Sequence, residues 1–495
     1  MRVLRWLMFG LLLAAVVGAA WVLQQRRLPS PIARHLGPPV VAGALSERPV
    51  LFATAEYRFV PATTEAVEGR LTVPQNRARR DGLTVDLHFL RFPAATNDPS
   101  GTTFYLDDGP GVAASRAVAG PRFAFVQRLR AAGEVVVVDQ RGTFYSPPTL
   151  QCTGRIDFRL DEEATVLNRA EVLAPYIRTC AREVNAEADL SAFNTRESAR
   201  DLDALREALG LDQINLVGVG YGSQLALEYA RLFPERLLSI VALGLEAPHQ
   251  VYKLPSQVEP ALERVAAAAA ERAPNLLDDL AEVLGALESA AVTVALDLPG
   301  RPEIVLGRMD FEAWLYAALG SRTGIGAIPR AVGRALQGDY REVAAAVAQS
   351  RAAVAWSLTP VAVTCSAGAS AGRLERILVE SEFARLRHFP NAPLVATCGA
   401  WPAAVLPADF RFPVESDVFV LAVVGTLDVH ASVEALEEAL EGLPNVTVVT
   451  VEGAAGGDDL MVEPAVVADL VVQFLRQERV AVERVVLGPI RFLSP

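Results

Sequence analysis

At 495 residues, 51% hydrophobic and 21% charged, the chain is globular rather than disordered and long enough for about three domain-sized units. A net charge of −12 argues against nucleic acid and anionic lipid headgroups as partners of the main domain. The only Lys is Lys253, which excludes the Gly-Lys-Ser or Gly-Lys-Thr of a phosphate loop, and no dinucleotide fingerprint or metal-ligand cluster is present, so no cofactor is expected.

Arg2 and Arg5 precede eighteen apolar or small residues, Trp6 to Leu23, followed by Gln24-Gln25-Arg26-Arg27. As a helix this stretch would reach about 27 Å, just enough for a bilayer core. Residues 1–27 therefore read as a signal anchor or signal peptide, with Gly18-Ala19-Ala20 resembling a cleavage site. The expectation is an inner-membrane anchor with the main domain in the periplasm or outside the cell, or secretion if the segment is cleaved. Cys152, Cys180, Cys365 and Cys398 fit an oxidising compartment. Pairing Cys152 with Cys180 and Cys365 with Cys398 closes two local loops; four buried thiols are the alternative.

Residues 28–48 are Pro-rich and aperiodic, a tether. Glu68–Pro74 and Leu83–Leu90 alternate as antiparallel edge strands do. Thr102–Leu106 is a short apolar strand running into Asp107-Asp108-Gly109-Pro110-Gly111, and Glu134–Val138 is a buried strand ending in Asp139-Gln140-Arg141-Gly142. A helix over 198–209 leads to Ile214–Val219, a third such strand, and Leu237–Leu243 is a fourth. From 251 to about 405 Ala-rich helical stretches dominate, with no convincing run of strands. Strand pattern returns at Val418–Gly425 and Val446–Val451, before a closing helix from Val466 to Arg476. Strands alternating with helices argue for a parallel sheet. The expected domains are a core over 49–250 and 406–480, a helical cap inserted at 251–405, and a tail at 481–495.

The central stretch is Gly218-Val219-Gly220-Tyr221-Gly222, between an apolar strand and an amphipathic helix. It has the frame of a nucleophile elbow, G-x-S-x-G, with glycine at the nucleophile position. Together with Asp139-Gln140-Arg141-Gly142-Thr143, Asp201-Leu202-Asp203, Val73-Pro74 and Cys398 before Trp401-Pro402, it resembles the exported tripeptidyl-aminopeptidase and proline-iminopeptidase-like branch of the α/β-hydrolases. The resemblance covers about Gly69 to Glu478. It implies the α/β-hydrolase fold, a mostly parallel central sheet flanked by helices with an inserted helical cap, here behind an N-terminal membrane segment.

It also implies a Ser–Asp–His triad with an oxyanion hole formed by two backbone N–H groups. Mapped by motif, the triad positions hold Gly220, Asp428 and Gly456, so the aspartate alone is retained. The oxyanion turn holds Asp107, Asp108 and Gly109, with Tyr221 after the elbow. Two carboxylates there oppose a developing oxyanion. The expectation is a catalytically inactive, membrane-tethered binding or scaffold protein, with a peptide, amine or protein partner at the cleft. The alternative is a hydrolase with displaced residues, for which Ser223 and His430 are the candidates. The acidic set Asp107, Asp108, Asp428, Asp458 and Asp459 would line one cleft and take a cation or an amine.

Overall fold

A computed structural model describes residues 43–54, 63–79, 82–156, 158–297, 302–351, 355–462 and 465–494. The N-terminal segment 1–27 and most of the tether lie outside the described residues. Among those described, no helix is long and apolar enough to cross a membrane.

Ten strands form one sheet: β1 (Leu45–Ala53), β2 (Thr63–Pro74), β3 (Thr84–Phe92), β4 (Thr102–Leu106), β5 (Glu134–Val138), β6 (Ile214–Val219), β7 (Leu237–Leu243), β8 (Phe419–Gly425), β9 (Val446–Glu452) and β10 (Arg484–Val486). Their order is β1-β2-β3-β5-β4-β6-β7-β8-β9-β10. β1, β2 and β3 pair antiparallel, as do β3 and β5; every pair from β5 to β10 is parallel. The central strands β4, β6 and β7 are almost wholly buried, which is why their sequences are continuous apolar runs. One apolar cluster covers each face: Leu216, Ile240 and Ala422 on one side, Val217, Val241 and Val423 on the other.

Three boundaries differ from expectation. The tether stops short of 48, because Leu45–Ala53 is the outermost strand, and the pair after it is therefore not the edge. The stretch 481–495 is not a loose tail: Arg484–Val486 adds to β9, and Ile490 and Phe492 pack on the insertion. The insertion itself contains a two-stranded hairpin, Val292–Ala295 with Glu303–Leu306, among its helices. Nor is it one unit. Helices such as α3 (Pro255–Ala269) and α4 (Arg322–Leu336) share their own core, while Leu358, Val361, Trp401 and Ala403 join the core beneath the main sheet.

Both disulfides are present, Cys152–Cys180 and Cys365–Cys398. Buried pairs fix the turns between elements. Arg141 grips Asp201 with two bonds of 2.7 and 2.6 Å, tying the β5 turn to α1 (Thr195–Ala208), the helix before the elbow. Bidentate geometry offsets the cost of burying both charges.

Candidate functional site

Four turns leave the carboxyl ends of the parallel strands, after β4, β6, β8 and β9, and they carry Asp107 and Asp108, Gly220, Asp428 and Gly456 respectively. The elbow is formed in full. β6 ends at Val219, Gly220 takes φ +48° and ψ −115°, and α2 (Tyr221–Leu232) begins at once. That backbone conformation is open to glycine and strained for other residues.

The space above Gly220 is not empty. A Cβ at that position would overlap the side chain of Asp108, with Cγ 2.6 Å and Oδ2 2.9 Å away. Asp108 Oδ1 accepts hydrogen bonds from the Tyr221 N–H at 3.1 Å and the Gly109 N–H at 2.8 Å. The donor that would hold a substrate's oxyanion, the N–H after the elbow, is therefore engaged by a carboxylate of the chain itself. Glycine at 220 and aspartate at 108 are geometrically one change.

Asp107 and Asp108 part company. Asp107 turns away, accepting from the Asp108 N–H at 2.6 Å and pairing with Arg122, which also meets Asp458 at 3.0 Å. Asp459 accepts from the N–H groups of Ala455 and Arg322 at 2.9 and 3.2 Å. The acidic set does not converge as expected, because Arg122 and these backbone donors claim Asp107, Asp458 and Asp459. Asp108 and Asp428 remain, joined by Glu246, which follows β7 and pairs with Lys253 at 3.0 Å. Among the described residues no three His, Cys, Asp or Glu side chains are grouped to hold a metal ion.

These carboxylates press on one another. Burial, then the charge of Glu246, pushes Asp108 up to about 6 against its backbone hydrogen bonds; Asp428 adds to the rise. Burial also pushes Asp428 up to about 6, although Oδ1 accepts from the His430 and Ala431 N–H groups at 2.8 and 3.0 Å.

No imidazole stands at the base position. A Cβ on Gly456 would lie 2.8 Å from the Gly320 carbonyl oxygen, so the insertion's backbone fills the place a histidine would enter. The two surfaces are bolted together: Arg322 donates to the Gly453 carbonyl at 2.7 Å, and Leu427, Val429 and Ala455 belong to the insertion's own core.

Both displaced candidates are at least partly buried and engaged. Ser223 is fully buried; its hydroxyl donates to the Gly220 carbonyl at 2.6 Å and accepts from the Glu246 N–H at 2.9 Å. The His430 ring stands edge-on to Tyr316, centroids 4.5 Å apart, and burial followed by the Lys253 charge pushes it down to about 4. It is a neutral, weak base at physiological pH. Sequence reasoning missed Glu246, Lys253, Arg122 and Gly320. Only Glu246 left a signal, as a carboxylate just past the end of a buried parallel strand.

The sheet order, the elbow and its flanking turns are those of an α/β-hydrolase. Residues 125–364 match the family described as alpha/beta hydrolase fold. In sequence the chain is similar to members of a peptidase-like branch. It is 31% identical over 192 residues to the serine protease Hip1 of Mycobacterium tuberculosis, covering 37% of this chain and 36% of that protein. It is 29% identical over 190 residues to the tripeptidyl aminopeptidase of Streptomyces coelicolor, covering 36% and 35%. The matched region thus spans about a third of these relatives' length. Among solved structures, the proline iminopeptidase of Mycobacterium smegmatis aligns over 82% of this chain and 98% of that one, at 15% identity and a TM-score of 0.42.

Proposed function

We propose that the protein is a non-catalytic member of this branch, tethered to the membrane by its N-terminal segment, which uses the cleft over Gly220 to bind a ligand or partner outside the cytosol. A peptide, an amine or a protein surface are the partner classes the branch and the acidic cleft favour. The observation that carries the reading is the occupation of the nucleophile's space by Asp108. Acyl transfer needs a nucleophile activated by a base within hydrogen-bond reach. Gly220 supplies no nucleophile, Gly456 no imidazole, and Asp108 engages an oxyanion donor. Two disulfides in a chain with an apolar N-terminal segment support the location.

The test is hydrolysis of aminoacyl and tripeptidyl anilides and short-chain esters by the purified protein. Enzymes stripped of their triad keep roughly 10³–10⁴-fold over water through the oxyanion hole and binding. With the hole engaged, turnover should not exceed the rate without protein. Turnover above it that survives repurification and is lost on mutating a cleft residue would overturn the reading.

A further inference from the structure

The chain joins the domain at the cleft end of the sheet. The Gly43 N–H donates to the Thr72 carbonyl at 2.8 Å, and β1 runs away from that end, antiparallel to β2. Two residues along β2, Arg70 donates to the Tyr145 carbonyl at 3.0 Å; near the head of β3, the Asp86 N–H donates to the Pro147 carbonyl at 2.9 Å. The turn after β5 is thereby fixed beside the point of entry. What it presents is apolar. Phe144 is 67% exposed, its ring edge-on to Tyr145 at a centroid distance of 5.0 Å. Val112, 45% exposed, stands on the neighbouring turn. One short segment backs both turns, since Gly111 packs on Pro360 and the Thr359 hydroxyl donates to the Gly142 carbonyl at 2.7 Å. No charged residue lies between Gly109 and Ser115 or between Gly142 and Gln151, in a chain of net charge −12. Exposed apolar groups set together mark a surface for a partner.

The tether says which partner. Fifteen residues, 28–42, separate Gly43 from the apolar segment 1–27. Fully extended they span about 50 Å. Turning the opposite end of the sheet to the membrane would hold that length taut around the domain and forfeit its conformational entropy, whereas the entry end needs no such extension. A short tether also keeps the bilayer at high effective concentration beside the entry point, where weak apolar contacts then suffice. An aromatic ring next to a tyrosine, apolar at one end and wet at the other, suits the boundary between headgroups and acyl chains. On the membrane-tethered reading above, we infer that Phe144, Tyr145 and Val112 form a membrane-docking rim, seated in the headgroup layer of the bilayer that holds the N-terminal segment. An uncharged rim on an acidic domain fits zwitterionic lipid rather than anionic lipid. The cleft, at the same end of the sheet, then opens along the membrane surface.

The experiment uses the full chain reconstituted into phosphatidylcholine vesicles. All four cysteines are held in disulfides, so Phe144→Cys carries a single thiol for an environment-sensitive dye. Phe419→Cys is the control, 61% exposed at the start of β8 and hence at the opposite end of the sheet. Both side chains are exposed, so neither label disturbs the core. With nitroxide-labelled lipid in the vesicles, emission from position 144 should fall at least about twofold, and that from position 419 should hold within about a tenth. Equal quenching at the two positions, or none at either, in vesicles that carry the protein on flotation would overturn the docking rim and leave the tether standing. A spectral change at 144 that follows the protein concentration rather than the lipid would assign the rim to a second copy and overturn it too. Protein that fails to float with the vesicles would remove the tether itself, so the two failures are distinct.

Discussion

Returning a serine to the elbow, Gly220→Ser, should damage the protein rather than repair it. The backbone at φ +48° and ψ −115° costs a non-glycine residue about 1–3 kcal/mol. The new Cβ would also overlap the Asp108 carboxyl, and overpacking of this kind costs typically about 1–3 kcal/mol. Together the single variant should lose about 2–6 kcal/mol. In Gly220→Ser/Asp108→Gly the backbone term remains and the overlap disappears, so the two changes should couple by about 1–3 kcal/mol. Guanidinium unfolding of the four proteins, followed through the five tryptophans, measures this, provided the transition slopes agree. Additivity to within about 0.5 kcal/mol would refute the claim that Gly220 and Asp108 share one space. Neither variant should gain hydrolytic activity, since no base returns with the serine.

Two further outcomes follow from the same geometry. Asp108 sits at about 6 in the folded chain, above the 3.8 of a free aspartate, so between those values the folded state binds a proton that the unfolded state does not. Its contribution is therefore most favourable at the acid end and is lost as pH rises to 6, by up to ~3 kcal/mol at ~1.4 kcal/mol per pH unit. Asp108→Asn should remove that slope, and its stability relative to wild type, measured by denaturant unfolding, should rise across this interval; a constant difference would contradict the assignment. Replacing Cys365 and Cys398 together by alanine opens a loop of sequence separation 33 and should cost about 3–4 kcal/mol, read as a lowered denaturant midpoint; an unchanged midpoint would refute it.

The sheet and the elbow were legible because their signals are local. Four buried parallel strands read as apolar runs, and alternate glycines between strand and helix allow few alternatives. β1 was hidden because it is an exposed edge strand carrying Pro49, whose register comes from pairing with β2 rather than from an apolar face. β10 has three residues, too few to show any period. At the site, the residues at the triad positions could be read off, but not what replaced the missing groups. Asp107 and Asp108 look equivalent in sequence, yet neighbours leaving a strand point to opposite sides, one toward Arg122 and the other over Gly220. The contacts that decide the chemistry, Asp108 to Tyr221 and Gly456 to Gly320, join residues more than a hundred positions apart. No local pattern encodes them.

The non-catalytic reading is tested most directly by incubating the purified protein with a fluorophosphonate probe and weighing it intact. A serine made nucleophilic by a neighbouring base would form a phosphonyl adduct. Ser223 is buried with its hydroxyl engaged, and Gly220 has no side chain, so the expected mass is that of the unmodified chain after prolonged exposure. A stoichiometric adduct that maps to Ser223 and vanishes in Ser223→Ala would contradict this and establish a hydrolase with a displaced nucleophile.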